Sequence, residues 1–172
     1  TVLLLQSNDQ DTTNSFTDTS YSGTTHTITQ AGGAIHSEDT SMFGTSSIKF
    51  DGTDDVITIA PNAELSFGTD PYTIETFFWI EDYGFNDQKY EYLFDFKRHQ
   101  DDKRICWGKG NSDYYNVSEG NYWGEECSIA MGERYARDQS IERPLWGKQA
   151  WNHIAFTRDA TGLCSVWLNG RL

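Results

Sequence analysis

Aromatic and amide side chains are concentrated in one polar stretch, residues 111–123, where they could bind a sugar. A sugar ring has apolar faces and polar edges, so a binding site pairs flat aromatic rings with hydrogen-bonding groups. The alternative is that these rings pack the stretch onto the rest of the protein, because Tyr and Trp often bury large areas. The candidate ligand-binding residues are Tyr114, Tyr115, Asn116, Tyr122 and Trp123.

Aspartates in two loops could coordinate a cation. Ca²⁺ takes about six to eight oxygen ligands, and no contiguous EF-hand pattern is present to supply them. The alternative for the first set is turn formation, which the sequence favours because Asp and Gly suit tight turns. The candidate sets are Asp51, Asp54 and Asp55, and, in the N-terminal loop, Asp9, Asp11 and Asp18.

The chain has 172 residues and a formal net charge of −13 at pH 7. So acidic a surface repels phosphate backbones, and we expect no nucleic-acid binding. The charge could keep the protein soluble, concentrate Ca²⁺ or attract a basic partner, and the sequence favours solubility. Its apolar runs are too short for a bilayer, so we predict no membrane insertion. The length predicts a single domain over residues 1–172, and the start at Thr1 indicates a piece of a longer chain.

The cysteines are Cys106, Cys127 and Cys164, an odd count of three that leaves at least one unpaired within the chain. Cys106 and Cys127 lie in the same insertion and could form a disulfide. Cys164 alternates with apolar residues and is predicted to be a buried free thiol. We favour three reduced cysteines, since a secreted module of this size more often carries an even set.

The elements that would position these residues are strands, and the chain is organised around residues 46–80. This region predicts strands at 47–50, 56–60 and 72–80, separated by Asp-Gly and Pro-Asn turns. In the third, the even positions from Tyr72 to Ile80 share one face by period-two alternation. The odd positions turn apolar at Phe77 and Trp79, so we expect that strand to be covered on both faces and central in its sheet.

Further strands are predicted on both sides of this region, and residues 108–149 are predicted to form a long, loop-rich insertion with one strand and at most a short helix. Binding often resides in such loops on a rigid β scaffold. The predicted flanking strands are 2–5, 25–30, 34–36, 90–97, 104–107, 127–131, 151–158 and 163–169.

Four blocks of the sequence carry a family resemblance. They are the opening residues 2–29, the Phe50-Asp51-Gly52 turn, the Tyr72-Thr73-Ile74-Glu75 strand and the closing hairpin, residues 151–170. In this order they resemble the laminin-G-like, concanavalin A-like jelly-roll family of lectin and adhesion modules. Phenylalanine is usual where Tyr72 stands, and the opening block is similar to domains of phage and marine viral structural proteins.

The resemblance implies an all-β fold, an antiparallel β-sandwich jelly roll with a long insertion before the C-terminal hairpin. Relatives usually have a final strand beside the first, whereas this sequence stops at Leu172. We therefore expect that strand to follow Leu172 in a longer chain or to come from another chain. Many relatives hold Ca²⁺ with loop Asp and Asn residues, so Ca²⁺ is the one cofactor that the resemblance suggests.

Relatives of this fold include glycoside hydrolases, which use two carboxylates about 5–10 Å apart. In the glucanases of the fold, acids alternate along one strand. The nearest pair here is Glu91 and Asp95, predicted to share a face, with Leu93 where another acid would be expected. We interpret this pair as a solvated strand face, and the four histidines lie in dissimilar contexts. The sequence therefore predicts no enzymatic activity.

The expected function is a non-catalytic recognition or assembly module on a virion surface or in the extracellular space. The resemblance favours a phage structural protein such as a fibre, spike or decoration domain. Its expected partners are other virion proteins, copies of itself and a host-surface glycan. The alternatives are a glycoside hydrolase of the same fold and a secreted cell-adhesion lectin domain.

Overall fold

The computed structural model describes residues 1–67, 69–81, 91–97, 104–110, 112–119, 127–131 and 147–171. The chain divides into two compact units, Thr1–Gly68 and Thr69–Leu172. Among the described residues the regular structure is β-strand apart from a 3-10 turn at Ala63–Leu65, and the strand pairs are antiparallel. The predicted all-β, antiparallel class is confirmed, while the single domain stays a prediction.

The first unit is built from four short strands: β1 (Ile28–Ala31), β2 (Ile35–Ser37), β3 (Ser47–Lys49) and β4 (Val56–Ile59). β1 pairs with β4, and β2 pairs with β3. β3 and β4 begin where they were predicted and each ends one residue earlier. The predicted strand at residues 2–5 is wrong in extent, because only Leu5 forms a bridge, to Asp18.

A buried histidine joins separate segments of the first unit. His36 is 1% exposed, and its Nε2 lies 2.9 Å from the carbonyl oxygen of Ser15. A carbonyl can only accept, so Nε2 carries the proton and donates. At the other ring nitrogen, Nδ1 lies 2.6 Å from Oγ of Ser7, which in turn lies 3.0 Å from Oγ of Ser46. This network ties the N-terminal loop to the β2–β3 pair.

A second buried histidine is anchored by an aspartate. The Asp18 carboxylate accepts hydrogen bonds from Nδ1 of His26 at 2.7 Å and from the backbone N–H groups of Leu4 and Ser20. Burial of the Asp18 carboxyl tends to raise its pKa, but the hydrogen bonds from His26, Leu4 and Ser20 outweigh it and hold the pKa well below its ordinary value. Nε2 of His26 is buried without a hydrogen-bond partner in the described part of the chain, so Asp18 is what holds this ring.

The second unit contains seven strands: β5 (Tyr72–Trp79), β6 (Glu91–Lys97), β7 (Arg104–Gly110), β8 (Ser112–Glu119), β9 (Cys127–Met131), β10 (Trp151–Arg158) and β11 (Cys164–Leu168). They form a three-stranded sheet in the order β11-β10-β5 and a four-stranded sheet in the order β6-β7-β8-β9. The predicted C-terminal hairpin is confirmed as β10–β11. In the described sheet β10, not β5, is the middle strand, so the predicted central place of β5 is wrong there.

The four-stranded sheet corrects the expected loop structure of the insertion. Residues 112–119, predicted as loop, form β8, which pairs with β7 on one side and β9 on the other. Their polar sequence gives little alternation, but hydrogen bonding to strands on both sides satisfies the backbone and overrides that weak propensity. β9 lies where a strand was predicted, at residues 127–131.

The two faces of the three-stranded sheet differ in burial. One face is formed by buried apolar side chains that follow period-two alternation: Tyr72, Phe78, Ile154, Phe156, Val166 and Leu168. The opposite face is more open, and Phe77 on it is 40% exposed. The prediction that β5 is covered on both faces is therefore wrong at Phe77, because aromatic character there does not produce full burial. Cys164 is a thiol outside any disulfide, as predicted, but it is half-buried rather than buried.

The Asp18–His26 pair predicts a specific acid sensitivity. A carboxyl whose pKa is lowered by folding contributes stability that is complete above the unfolded-state pKa of about 4 and is lost as the pH falls below it. Asp18→Asn should lower the unfolding free energy at pH 7 by about 3 kcal/mol, since it breaks a buried pair. It should also flatten the fall in stability between pH 5 and pH 2, measured by urea unfolding.

The matched control for this experiment is Asp11→Asn. The Asp11 carboxylate is exposed and accepts one described hydrogen bond, from the N–H of Glu38. We expect this control to change the unfolding free energy by less than about 0.5 kcal/mol and to keep the acid slope of the parent protein. An Asp18→Asn slope equal to that of the parent would contradict the assignment.

Candidate functional site

The open face of the three-stranded sheet carries four aromatic rings. Trp79 of β5 pairs with Trp151 of β10, and Phe77 pairs with His153. Cross-strand partners lie on the same face, so the four rings form one patch, which we call the aromatic strip. The register of β5 against β10 is continuous over eight residue pairs, and this continuity brings the rings together.

The rings of the aromatic strip contact one another in pairs. The Phe77 and His153 rings have centroids 4.6 Å apart and are tilted by 33°. The Trp79 and Trp151 rings are 5.9 Å apart in an edge-to-face arrangement. Such contacts stabilise the pairs and fix their orientation. The strip is therefore a preordered surface, and it is partly open to solvent.

Two carboxylates adjoin the aromatic strip. Oε2 of Glu75 lies 3.1 Å from Nε2 of His153, and the Glu75 side chain is 61% exposed. Oε2 of Glu81 accepts a hydrogen bond from the indole Nε1 of Trp79 at 3.2 Å. Both contacts orient a ring of the strip, and carboxylate oxygens keep further lone pairs for hydroxyl donors.

The buried Asn152 holds the turn that places the Gln149 amide beside the Glu81 carboxylate. Nδ2 of Asn152 donates to the carbonyl oxygens of Gly147 and Ala150, and its Oδ1 accepts from the N–H of Gly147. These bonds hold the turn at residues 147–150, in which Gln149 has a positive φ of 50°. Nε2 of Gln149 donates to Oε1 of Glu81 at 3.1 Å. The amide and the carboxylate thus form a polar edge beside Trp79.

A small residue separates a further aromatic ring from Glu75. Ala155 of β10 pairs with Glu75 on one side and with Trp167 of β11 on the other, so the three share the face of the aromatic strip. Trp167 is 38% exposed. The Ala155 side chain between them is 7% exposed and therefore buried, although it lies on the more open face of the sheet.

The sugar-binding residues predicted from the sequence lie mostly outside the described residues. Asn116 lies in β8 and pairs with Gly108 and Ala130, so this part of the stretch is strand rather than loop. The side chains of Tyr114, Tyr115 and Asn116 lie outside the description, and so do Tyr122 and Trp123 entirely. That candidate site stays a prediction. The disulfide option for Cys106 and Cys127 also concerns side chains outside the described part.

The first predicted metal set does come together. Carboxylate oxygens of Asp51, Asp54 and Asp55 lie within 4.8 Å of one another. The carboxylate of Asp55 accepts from the N–H groups of Gly33 and Asp51, and that of Asp51 accepts from the N–H of Thr53 at 2.7 Å. Oxygens engaged by backbone donors point to turn formation, the alternative that the sequence favours.

The second predicted metal set serves separate partners. Asp18 is buried against His26, Asp11 accepts from the N–H of Glu38, and Oδ2 of Asp9 lies 3.6 Å from Nε2 of His36. Among the described residues the group that could hold a metal is the first set, and the alternative set of Asp9, Asp11 and Asp18 does not come together. Each of the three carboxylates instead contacts a different partner close to it.

The predicted shared face of Glu91 and Asp95 depends on unbroken alternation, which the backbone does not have. A β-bulge falls between Tyr92 and Phe94, so Glu91 pairs with Lys109 while Asp95 pairs with Cys106. These partners are an odd number of residues apart on β7, and period-two alternation does not carry from Glu91 to Asp95. The alternating-acid arrangement expected of a glucanase strand is thus interrupted.

Sequence reasoning missed the aromatic strip although its signal was present. Phe77 and Trp79 broke the polar pattern of the odd face of β5, and Trp151 and His153 stand at alternate positions of β10. The expectation of a strand covered on both faces accounts for Phe77 and Trp79, and it does not connect them with Trp151 and His153. An antiparallel pairing of the two strands would have placed all four rings together.

Comparison of the chain with protein-family models, with curated proteins and with solved structures finds no match. The laminin-G-like resemblance of the sequence therefore stays a hypothesis. Within the described stretches no helix combines the length and the apolar character that a membrane crossing requires.

The aspartate cluster gives a test that separates turn formation from metal binding. Asp55→Ala should lower the unfolding free energy by about 1–3 kcal/mol, because backbone donors of Gly33 and Asp51 lose their acceptor. Asp54→Asn is the control and should change it by less than about 0.5 kcal/mol. Thermal unfolding with and without Ca²⁺ gives the readout. Stabilisation by Ca²⁺ that either substitution abolishes would instead indicate a metal site.

Proposed function

We propose that this chain is a non-catalytic recognition module that binds carbohydrate through the aromatic strip. The observation that carries the proposal is that partly exposed aromatic rings lie beside hydrogen-bonded carboxylate and amide groups on the more open face of the sheet. Sugar rings present apolar C–H faces to aromatic rings and hydroxyl groups to carboxylates. Contiguous exposed apolar surface rimmed by polar groups also marks interaction sites in general.

The remaining parts of the proposal concern fold and setting. We infer an antiparallel β-sandwich of the jelly-roll type, which the antiparallel strand pairs of both units support. The resemblance of the opening block to phage and marine viral structural proteins favours a virion surface. There the module would contact other virion proteins or its own copies, and the strip would meet a host-surface glycan.

The carboxylates beside the strip favour binding over hydrolysis. A glycoside hydrolase holds its two carboxyl groups within about 10 Å of each other. Glu75 and Glu81 are six positions apart, which corresponds to roughly 20 Å along an extended chain. Each also has a local partner, His153 for Glu75 and Trp79 for Glu81. This arrangement supports a role in orienting rings and accepting sugar hydroxyls.

The experiment is a glycan array followed by isothermal titration calorimetry of the parent protein and variants. Phe77→Ala and Trp151→Ala should each weaken binding of the best neutral glycan by about tenfold or more, or about 1.4 kcal/mol. Tyr21→Ala is the matched control, since Tyr21 is an aromatic residue that is 97% exposed in the other unit. It should bind like the parent.

Circular dichroism of each variant confirms that loss of binding is not loss of fold. A folded parent protein that binds no glycan would overturn the proposal. Glycan binding that survives Phe77→Ala and Trp151→Ala but disappears in Trp123→Phe would place the site in the stretch around Tyr114 and Trp123 instead.

A further inference from the structure

We infer that the preferred glycan of this face carries a protonated amine, which binds between the Glu75 carboxylate and the aromatic ring of Phe77. The inference rests on the proposed function and adds the charge class of the ligand. An amino sugar suits this pair of residues, because one sugar residue can place its ring on an aromatic side chain and its ammonium group on a carboxylate.

The Glu75 carboxylate is the charged group that the amine would meet. Its side chain is 61% exposed, and its Oε2 lies 3.1 Å from Nε2 of His153. In the described part of the chain Oε1 of Glu75 has no hydrogen-bond donor. A neutral imidazole that donates from Nε2 satisfies one lone pair of the carboxylate and leaves its negative charge in place. Glu75 can therefore accept from an ammonium group while it continues to orient His153.

The Phe77 ring lies next to this carboxylate. Phe77 follows Glu75 by two residues on β5, so the two side chains share a face and start roughly 7 Å apart. The ring is 40% exposed and rests against the His153 ring, with 4.6 Å between the centroids. An ammonium group within about 6 Å of an aromatic ring is attracted to its face. An amine between the two side chains would contact both of them.

The strands of the sheet add little positive charge to this face. Together β5, β10 and β11 contain one lysine or arginine, Arg158. Arg158 alternates in step with Ile154 and Phe156, so it belongs to the opposite, buried face. The complement that the Glu75 charge lacks on its own face of these strands is therefore a cation from a ligand. The net charge of −13 on the whole chain also attracts cations.

The carboxylate at the other end of the strip suits an amine less well. Both oxygens of Glu81 accept hydrogen bonds, one from Nε1 of Trp79 and one from Nε2 of Gln149. Lys148 precedes Gln149 in the same turn and adds a positive charge to that end. An ammonium group there would compete with two donors and meet a like charge, so we place the amine at Glu75.

The first test compares methyl hexosides that differ only at carbon 6, which carries a hydroxyl, an amine or a carboxylate. Calorimetry of the gluco and galacto series at about pH 6.5 keeps the amine protonated and the carboxylate ionised. We expect the amine to bind about fivefold more tightly than the hydroxyl and the carboxylate about fivefold more weakly, as one charge at about 4 Å in water predicts. The 2-amino hexosides supply a second position for the amine.

The second test locates the amine with variants. Glu75→Gln removes the charge at nearly constant size and should reduce the ratio of amine to hydroxyl affinity to less than about twofold. Phe77→Leu keeps an apolar side chain without the aromatic face and should reduce the ratio about twofold. Glu64→Gln, in the other unit, is the matched control and should keep the ratio of the parent protein. Circular dichroism confirms that each variant is folded.

The outcomes separate the two proposals. If no glycan binds the folded protein, the proposed function and this inference are both overturned. If hydroxyl sugars bind as tightly as both kinds of amino sugar, glycan binding stands and this inference falls. A preference that survives Glu75→Gln but disappears in Glu81→Gln would overturn the placement of the amine. Trilysine that binds more tightly than the amino sugars and displaces them would also overturn the inference, because the face would then select a basic peptide.

Discussion

The antiparallel register between β5 and β10 is the constraint on which the second unit depends. Every pair from Trp79↔Trp151 to Tyr72↔Arg158 is in step, so Phe78, Ile154 and Phe156 share one buried face, while Glu75 and Phe77 are exposed on the other. A shift of one residue would exchange the faces and expose Phe78, Ile154 and Phe156 while burying Glu75. The hydrophobic face thus fixes the register, and the register in turn brings the four rings of the aromatic strip together. The candidate site is a consequence of core packing.

The first unit is held together differently, with hydrogen-bonded polar groups in its interior. His36 and Ser46 are buried and are linked through the hydroxyl group of Ser7. The Asp18 carboxylate accepts a hydrogen bond from the buried His26 ring. Short strands of three or four residues supply few ladder bonds, so these side chains fix the loops that the strands do not reach. Networks of this kind specify one arrangement only when their members are satisfied, which makes them sensitive to single substitutions.

The all-β class and the strongest strands could be predicted from the sequence, because Tyr72–Trp79 and Trp151–Arg158 are rich in aromatic and β-branched residues. The polar strand Ser112–Glu119 could not, since pairing on both sides rather than side-chain pattern makes it a strand. The bulge after Tyr92 leaves no mark in the sequence, yet it breaks the alternation between Glu91 and Asp95. The aromatic strip depends on which strands are neighbours, and a one-dimensional pattern does not contain that information.

The edge-to-face packing of Trp79 and Trp151 gives the protein an optical signature of its own fold. Indole rings 5.9 Å apart and strongly inclined to each other couple their electronic transitions. The coupled pair should produce a paired band of opposite signs in circular dichroism, and that band would vanish as soon as β5 and β10 separate. This band would therefore report on the pairing of β5 with β10 without any added label.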